Sequence, residues 1–298
     1  MKINSINDTL ALQNNLDLIT KWSISNNMKL NSTKFEYINH KSNISSKNLE
    51  LLNILPFSNQ YSQYFGSDSV EILKSSHVRD LGIIVDDNLN WKMHIDNLTK
   101  TCKKLCSWAL NVFYNRSKDI MLTLFFSIIR TKLEFCCEIW SPFQIQDIVK
   151  IEQIQRSFTS RISGMKTLNY WERLDKLQIQ SLQRRREKII IVHLWKICNG
   201  IYPNSIDINF KLHSRTNSLK AIIKPLPKIR GKILTLYDES FTVKAAKLWN
   251  VLPNRLTQIS SLDQFRESLD RFLLTVPDKP PLPGYPYNCN NSLTCVCA

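Results

Sequence analysis

Two adjacent carboxylates, Asp86 and Asp87, follow the apolar run Ile83-Ile84-Val85. A carboxylate pair at a strand end is the kind of group that holds divalent cations for phosphoryl transfer. Asn88 comes next, and short polar side chains of this sort tolerate the backbone angles of a turn. The segment therefore reads as a solvated turn, because no third carboxylate stands on an obvious upstream strand. No Ser-His-Asp set, phosphate loop or nucleotide-binding glycine pattern is present, and six glycines leave little material for one. His94 and His193 are isolated on helical stretches and read as structural or surface groups.

The cations offer a second chemistry. Lys100, Lys103 and Lys104, then Arg156 and Arg161, then Arg184-Arg185-Arg186 could contact phosphates, positioning a nucleic acid without reading its sequence. Three consecutive helical residues cover well over half the circumference, so at least one of the arginines points away from any single surface. Trp91 is expected to stand exposed beside these cations. The tryptophans at 108, 140, 171, 195 and 249 mostly lie on apolar stripes and read as core. Net charge is +15 over 298 residues, and it is unevenly spread. Residues 1–91 sum to −1, residues 92–200 to +10 and residues 201–298 to +6. A basic region beside a neutral one fits an acidic polymer as partner.

Eight cysteines stand at positions 102, 106, 136, 137, 198, 289, 295 and 297. The first ten residues lack the apolar core of a secretory leader, so reduced thiols in an intracellular setting, nuclear or cytoplasmic, are the expectation. Cys102 and Cys106 fall within an amphipathic helix and read as packing groups, and no metal site is expected. The longest apolar runs fall short of the ~20 residues that cross a bilayer, so no membrane partner is expected.

The elements that must position these groups change type along the chain. A helix is expected over 9–30, with Leu12, Leu16, Ile19 and Trp22 on one stripe, then a strand over 34–38 and a polar loop over 39–48. Strands follow between Leu51 and Val85, with Gly66-Ser67-Asp68 as a hairpin turn. Leu81, Ile83 and Val85 alternate as a strand, Asp86 to Asn88 turn, and Leu89 and Trp91 resume the alternation. From Lys92 the period is helical: Ile95, Leu98, Cys102, Leu105, Ala109 and Val112 share a face. Further helices are expected over 119–133, around Ile148–Ile162, over 170–177 and over 181–199, the last closed by Gly200 and Pro203. Residues 204–235 read as loop or short strands, through Pro225, Pro227 and Gly231. Two helices then cover 240–252 and the segment after Ser261, where Ser261-Leu-Asp-Gln264 is a capping-box pattern.

Three segments carry a family resemblance: Trp22-x4-Asn27-Met-Lys-Leu-Asn31-x2-Lys34, Arg79-Asp-Leu-Gly-x3-Asp86-x2-Leu89-x-Trp91 and Ile151-Glu-Gln-x2-Arg156-x-Phe158. Together they resemble the reverse transcriptases of jockey-like non-LTR (LINE-type) retrotransposons, over nearly the whole chain and after that family's catalytic Asp-Asp hairpin. The resemblance implies that Asn31 and Lys34 match a palm motif, with the lysine near departing pyrophosphate. It also implies that Leu81, Gly82 and Trp91 belong to a primer grip, with a thumb beyond. Asp86-Asp87 falls in the primer-grip context, so no catalytic residue is assigned to it. Mg2+ is expected only of an intact polymerase, and this chain carries no cofactor of its own.

The expected fold is α+β and predominantly helical: a truncated palm remnant with a primer-grip hairpin (1–91), a helical thumb-like domain (92–203), a C-terminal helical extension (204–276) and a proline-rich disordered tail (277–298). The expected function is that of a C-terminal fragment of an RNA-directed DNA polymerase, inactive alone. Its expected partners are RNA, RNA–DNA duplex and the N-terminal polymerase portion. The alternatives are a helical protein-interaction scaffold and a degenerate reading frame without selected function.

Overall fold

A computed structural model describes residues 6–31, 34–38, 40, 61–65, 68–202, 208–213, 218–222, 237–283 and 291–294. The loop at 41–48, the Gly66-Ser67 turn, Pro203, Pro225, Pro227, Gly231 and Cys289, Cys295 and Cys297 lie outside those residues. The described chain is α+β and mostly helical, and it divides into two units, residues 1–93 and 94–298.

In the first unit, α1 (Ile6–Ser25) precedes three strands, β1 (Glu36–Ile38), β2 (Tyr61–Phe65) and β3 (Asp68–Ser75). β3 is central, parallel to β1 and antiparallel to β2, with Phe65 opposite Asp68. The amide of Gln13 fastens the helix to the sheet: its Nε2 donates to the Ser62 carbonyl at 2.7 Å, and the Ser62 amide donates to its Oε1 at 3.1 Å. The expected stripe on α1 is only partly covered. Leu12 and Leu16 are half-buried, whereas Ile19 and Trp22 are 51% and 56% exposed.

A second sheet pairs β4 (His77–Asp80) with β5 (Ile83–Asp86), antiparallel, with Asp80 opposite Ile83. This moves the hairpin from its expected place. The reversal falls at Leu81-Gly82, whose φ values of 44° and 93° are both left-handed, as a two-residue type I′ connection requires. Asp86 to Asn88 instead close the second strand, and Leu89 and Trp91, with φ of 54° and 58°, cannot continue one.

The helical series begins with α2 (Lys92–Val112), whose first backbone amide is capped by the Asn90 side-chain oxygen. Ile95, Leu98, Cys102 and Ala109 are buried as their spacing predicts, but Val112 is 51% exposed. α3 (Lys118–Leu124) passes into a π-helical segment, Phe125–Arg130, and then α4 (Thr131–Glu134). The hydroxyls of Ser127 and Thr131 there donate to carbonyls one turn back, contacts that compete with the α-helical ladder. Cys136, left-handed at φ 48°, ends that run before α5 (Cys137–Trp140). α6 (Ile145–Thr159) buries Ile148, Ile151, Ile154 and Phe158. α7 (Tyr170–Leu177) opens with a full capping box, in which the Asn169 side chain takes the Glu172 amide and Glu172 takes the Asn169 amide.

α8 (Leu182–Cys198) is capped by the Ser181 hydroxyl and followed by Gly200 at φ 71°. It shares one core with α9 (Phe241–Val251), α10 (Asn254–Thr257) and α11 (Leu262–Leu274), where the rings of Trp195, Phe265 and Trp249 stack. The hairpin of β6 (Asn209–His213) and β7 (Ser218–Ile222) joins them, with Phe210 edge-on to Trp249. The capping box expected at Ser261 does not form, since its side chain makes no cap hydrogen bond.

The tail also departs from expectation, because several of its described residues, among them Pro280, Pro281, Leu282, Asn291 and Leu293, are buried. Leu282 is 3% exposed beside Tyr170 and Leu174, and Leu293 is 8% exposed in the α8–α11 core. Composition misleads there because proline-rich backbone has few internal hydrogen bonds to satisfy, and α7 and α8 supply partners for those it has.

Candidate nucleic-acid interface

The arginine run on α8 is turned inward. Arg184 and Arg186 are 2% and 1% exposed, so neither can lie along a phosphate backbone. Arg184 donates through Nη2 to the carbonyls of Pro277 and Asn291 (3.0 and 3.3 Å) and through Nη1 to Glu187 at 3.3 Å. Arg185 makes a bidentate pair with Glu134 on α4, its Nη2 at 2.8 Å from Oε2. Arg186 lies in the field of Glu152, Cys137, Glu187 and Glu134, and burial pulls its pKa down from the usual arginine range. Its two terminal nitrogens have no hydrogen-bond partner among the described residues. The run had been expected to grip phosphate; instead it organises an interior. A helix covered on several sides turns its arginines toward protein groups: Arg184 and Arg185 meet carboxylates and carbonyls, and Arg186 is enclosed among the charges around it.

Carboxylates complete that interior. Glu152 on α6 is fully enclosed and accepts from the Tyr170 hydroxyl (2.7 Å) and the Gln183 amide (2.6 Å). Burial raises the pKa of Glu152, against the pull of Arg186, and pushes that of Glu187 up to about 7. Asp278 in the tail accepts from the amide and hydroxyl of Ser181, both at 2.7 Å, and from Asn291 at 2.8 Å. A cavity of about 380 Å³ opens beside this network. Lys244 lines it, donating to the Ser141 carbonyl at 2.5 Å, and burial lowers its pKa to about 8.

The exposed cations lie elsewhere. Lys100, Lys103 and Lys104 project from the open side of α2, opposite the buried Ile95, Leu98 and Cys102. None of the three has an ion-pair partner among the described residues. Arg161 is exposed just beyond α6, while Arg156 is half-buried and donates weakly to Gln153 at 3.4 Å. Nearby Arg173, missed in the sequence, is 5% exposed and donates to the carbonyls of Leu168 and Arg156, closing the end of α6. Its position in an amphipathic helix, one turn after Asn169, was the only available signal.

In the first unit, Leu81 and Gly82 form the hairpin tip, and Leu81 is 88% exposed in a strained left-handed conformation. Trp91 is half-buried at the start of α2, more covered than expected. The Asp86 carboxylate accepts from the amides of Asn88 (2.8 Å) and Asn90 (3.2 Å), an Asx-type turn, and Asp87 accepts from the Asn88 side chain. Asn31 and Lys34 are exposed and joined by the Lys34 amide donating to the Asn31 carbonyl at 3.1 Å. Among the tryptophans, 140, 195 and 249 are core as expected, but Trp108 is 48% exposed on α2.

No His, Cys, Asp and Glu cluster able to hold a metal ion occurs among the described residues, and no described helix is long and apolar enough to cross a membrane. No family model matches the chain, and no solved structure matches it. A Caenorhabditis elegans protein described as uncharacterized is 24% identical over 128 residues. The match covers 42% of this chain and 65% of that protein, less than two thirds of its length. None of these comparisons supplies an activity.

Proposed function

We propose that this chain is a C-terminal portion of a jockey-like non-LTR retrotransposon reverse transcriptase that binds RNA–DNA and RNA duplexes without sequence preference. It does not polymerise alone, and its N-terminal polymerase portion is its protein partner. The motif around Arg79 to Trp91 supports the lineage. The observation that carries the binding reading is the exposed lysine face of α2, which has no ion-pair partner among the described residues. Phosphate contacts by such side chains release condensed counterions, so affinity falls steeply with salt. Arg161 adds a cation of the same kind, whereas Arg184, Arg185 and Arg186 take no part.

Binding of a labelled RNA–DNA hybrid to the full chain, followed over a salt series, tests the reading. A log–log slope of about −2 to −3 is expected from three lysines. Failure to retain hybrid in dilute buffer, or a flat salt dependence, would overturn it.

A further inference from the structure

Residues 97–118 contain Lys100, Lys103, Lys104, Arg116 and Lys118 and not one aspartate or glutamate. On α2, Lys100, Lys104 and Trp108 follow one another at intervals of four, so they run along one line of the open face. Each step advances about 6 Å along the axis. The line therefore passes from two exposed ammonium groups to an indole that is 48% exposed.

Beyond the helix the aromatic character continues. The Phe113 ring meets Trp108 edge-on, at 6.2 Å and 82°. Tyr114, the next residue, is 86% exposed. This edge is held in place. Arg116 folds back to donate to the carbonyls of Leu110 and Phe113, both at 2.5 Å, and its own carbonyl accepts from the Ser163 amide at 2.9 Å. A large apolar ring left half in water near the end of α2, with exposed lysines one and two turns back and the exposed Tyr114 on the pinned segment beyond, suits a ligand with both flat faces and anionic links.

Resting on the duplex-binding reading above, we propose that this face takes a single-stranded nucleic-acid segment next to a duplex. The backbone runs along Lys100 and Lys104 where the duplex ends, and the unpaired bases beyond it stack on Trp108 and Tyr114. Bases inside a duplex already stack on each other and cannot use the indole; an unpaired strand can. Every base has such a face, so the site tolerates any sequence. An apolar protein partner would cover Trp108 while leaving the lysines uncompensated, which makes it the poorer occupant.

The test compares the full chain's affinity for a blunt RNA–DNA hybrid and for the same hybrid with an unpaired overhang. The overhang is expected to tighten binding about five- to a hundredfold. Joint substitution Trp108→Ala and Tyr114→Ala removes that gain, Trp108→Phe keeps much of it, and thermal melting of the variants stays near that of the parent. An overhang without advantage, or an advantage that survives both alanines, overturns the inference while blunt-hybrid binding still stands. Loss of binding to both probes in the parent chain overturns the duplex reading as well.

Discussion

Arg184 and Glu187 sit one turn apart on α8 with 3.3 Å between Nη1 and Oε2, and both are almost wholly removed from water. The pair faces the C-terminal segment: the guanidinium meets the carbonyls of Pro277 and Asn291, and the carboxylate accepts the Leu293 amide at 3.1 Å. A buried charge that keeps its partner is tolerated, and one stripped of it is not. Arg184→Met is therefore expected to cost about 3–5 kcal/mol of stability, read by urea denaturation. Hybrid affinity of the folded fraction stays unchanged. A stable variant with weakened affinity would contradict the inward role of Arg184.

Asp278 also fastens the C-terminal segment: it accepts from the amide and hydroxyl of Ser181, the N-cap of α8, and from the Asn291 side chain. Hydrogen bonds to an ionised group are the stronger kind. Asp278→Ala should lower stability by roughly 2–4 kcal/mol and accelerate amide exchange at Ser181 and Leu293. Unaltered exchange at both amides would mean that the segment is not held this way.

Protonation of Glu187 links this interior to pH. Its pKa is pushed up to about 7 by burial, while a glutamate in the unfolded chain releases its proton near 4.3. Between those values the folded state keeps a proton that the unfolded state has lost, so stability declines as pH rises through that window. The contribution is at most about 4 kcal/mol, and Glu152, shifted in the same direction, adds to it. Melting temperatures measured from mildly acid to neutral pH should fall, and Glu187→Gln should flatten the fall. A rise across the same range in the parent chain would contradict this.

At the hairpin tip, Leu81 holds a φ of 44° that a side chain disfavours by about 1 kcal/mol. Leu81→Gly relieves that strain, so the β4–β5 hairpin should gain protection from hydrogen exchange of about that size. Lower protection would show that the exposed leucine stabilises the hairpin by some other contact.

These features were legible to different degrees in the sequence. Periodicity located α6, α7, α8, α9 and α11, because their apolar residues recur at helical spacing and meet a common core. It misplaced the hairpin, since Leu81, Ile83 and Val85 alternate correctly even though the chain reverses at Leu81-Gly82. It also took Trp108 for core and the arginines of α8 for surface. Both errors have one cause: residue type gives the usual side of a helix, whereas the number of neighbouring elements decides how much of that helix is covered. α2 keeps an open face, and α8 is enclosed by α5, α6, α9, α11 and the tail segment. The bonds from Arg184 and Glu187 to residues 277–293 span about a hundred positions, and local pattern does not reach that far.

The central claim is that exposed lysines of α2, and not the arginines of α8, meet the polyanion. Its most direct test is the affinity of the Lys100→Glu, Lys103→Glu, Lys104→Glu variant for an RNA–DNA hybrid at low salt, beside the parent chain. The account expects a loss of at least tenfold, a shallower salt dependence and an unchanged melting temperature. Equal affinity of the two proteins would contradict it.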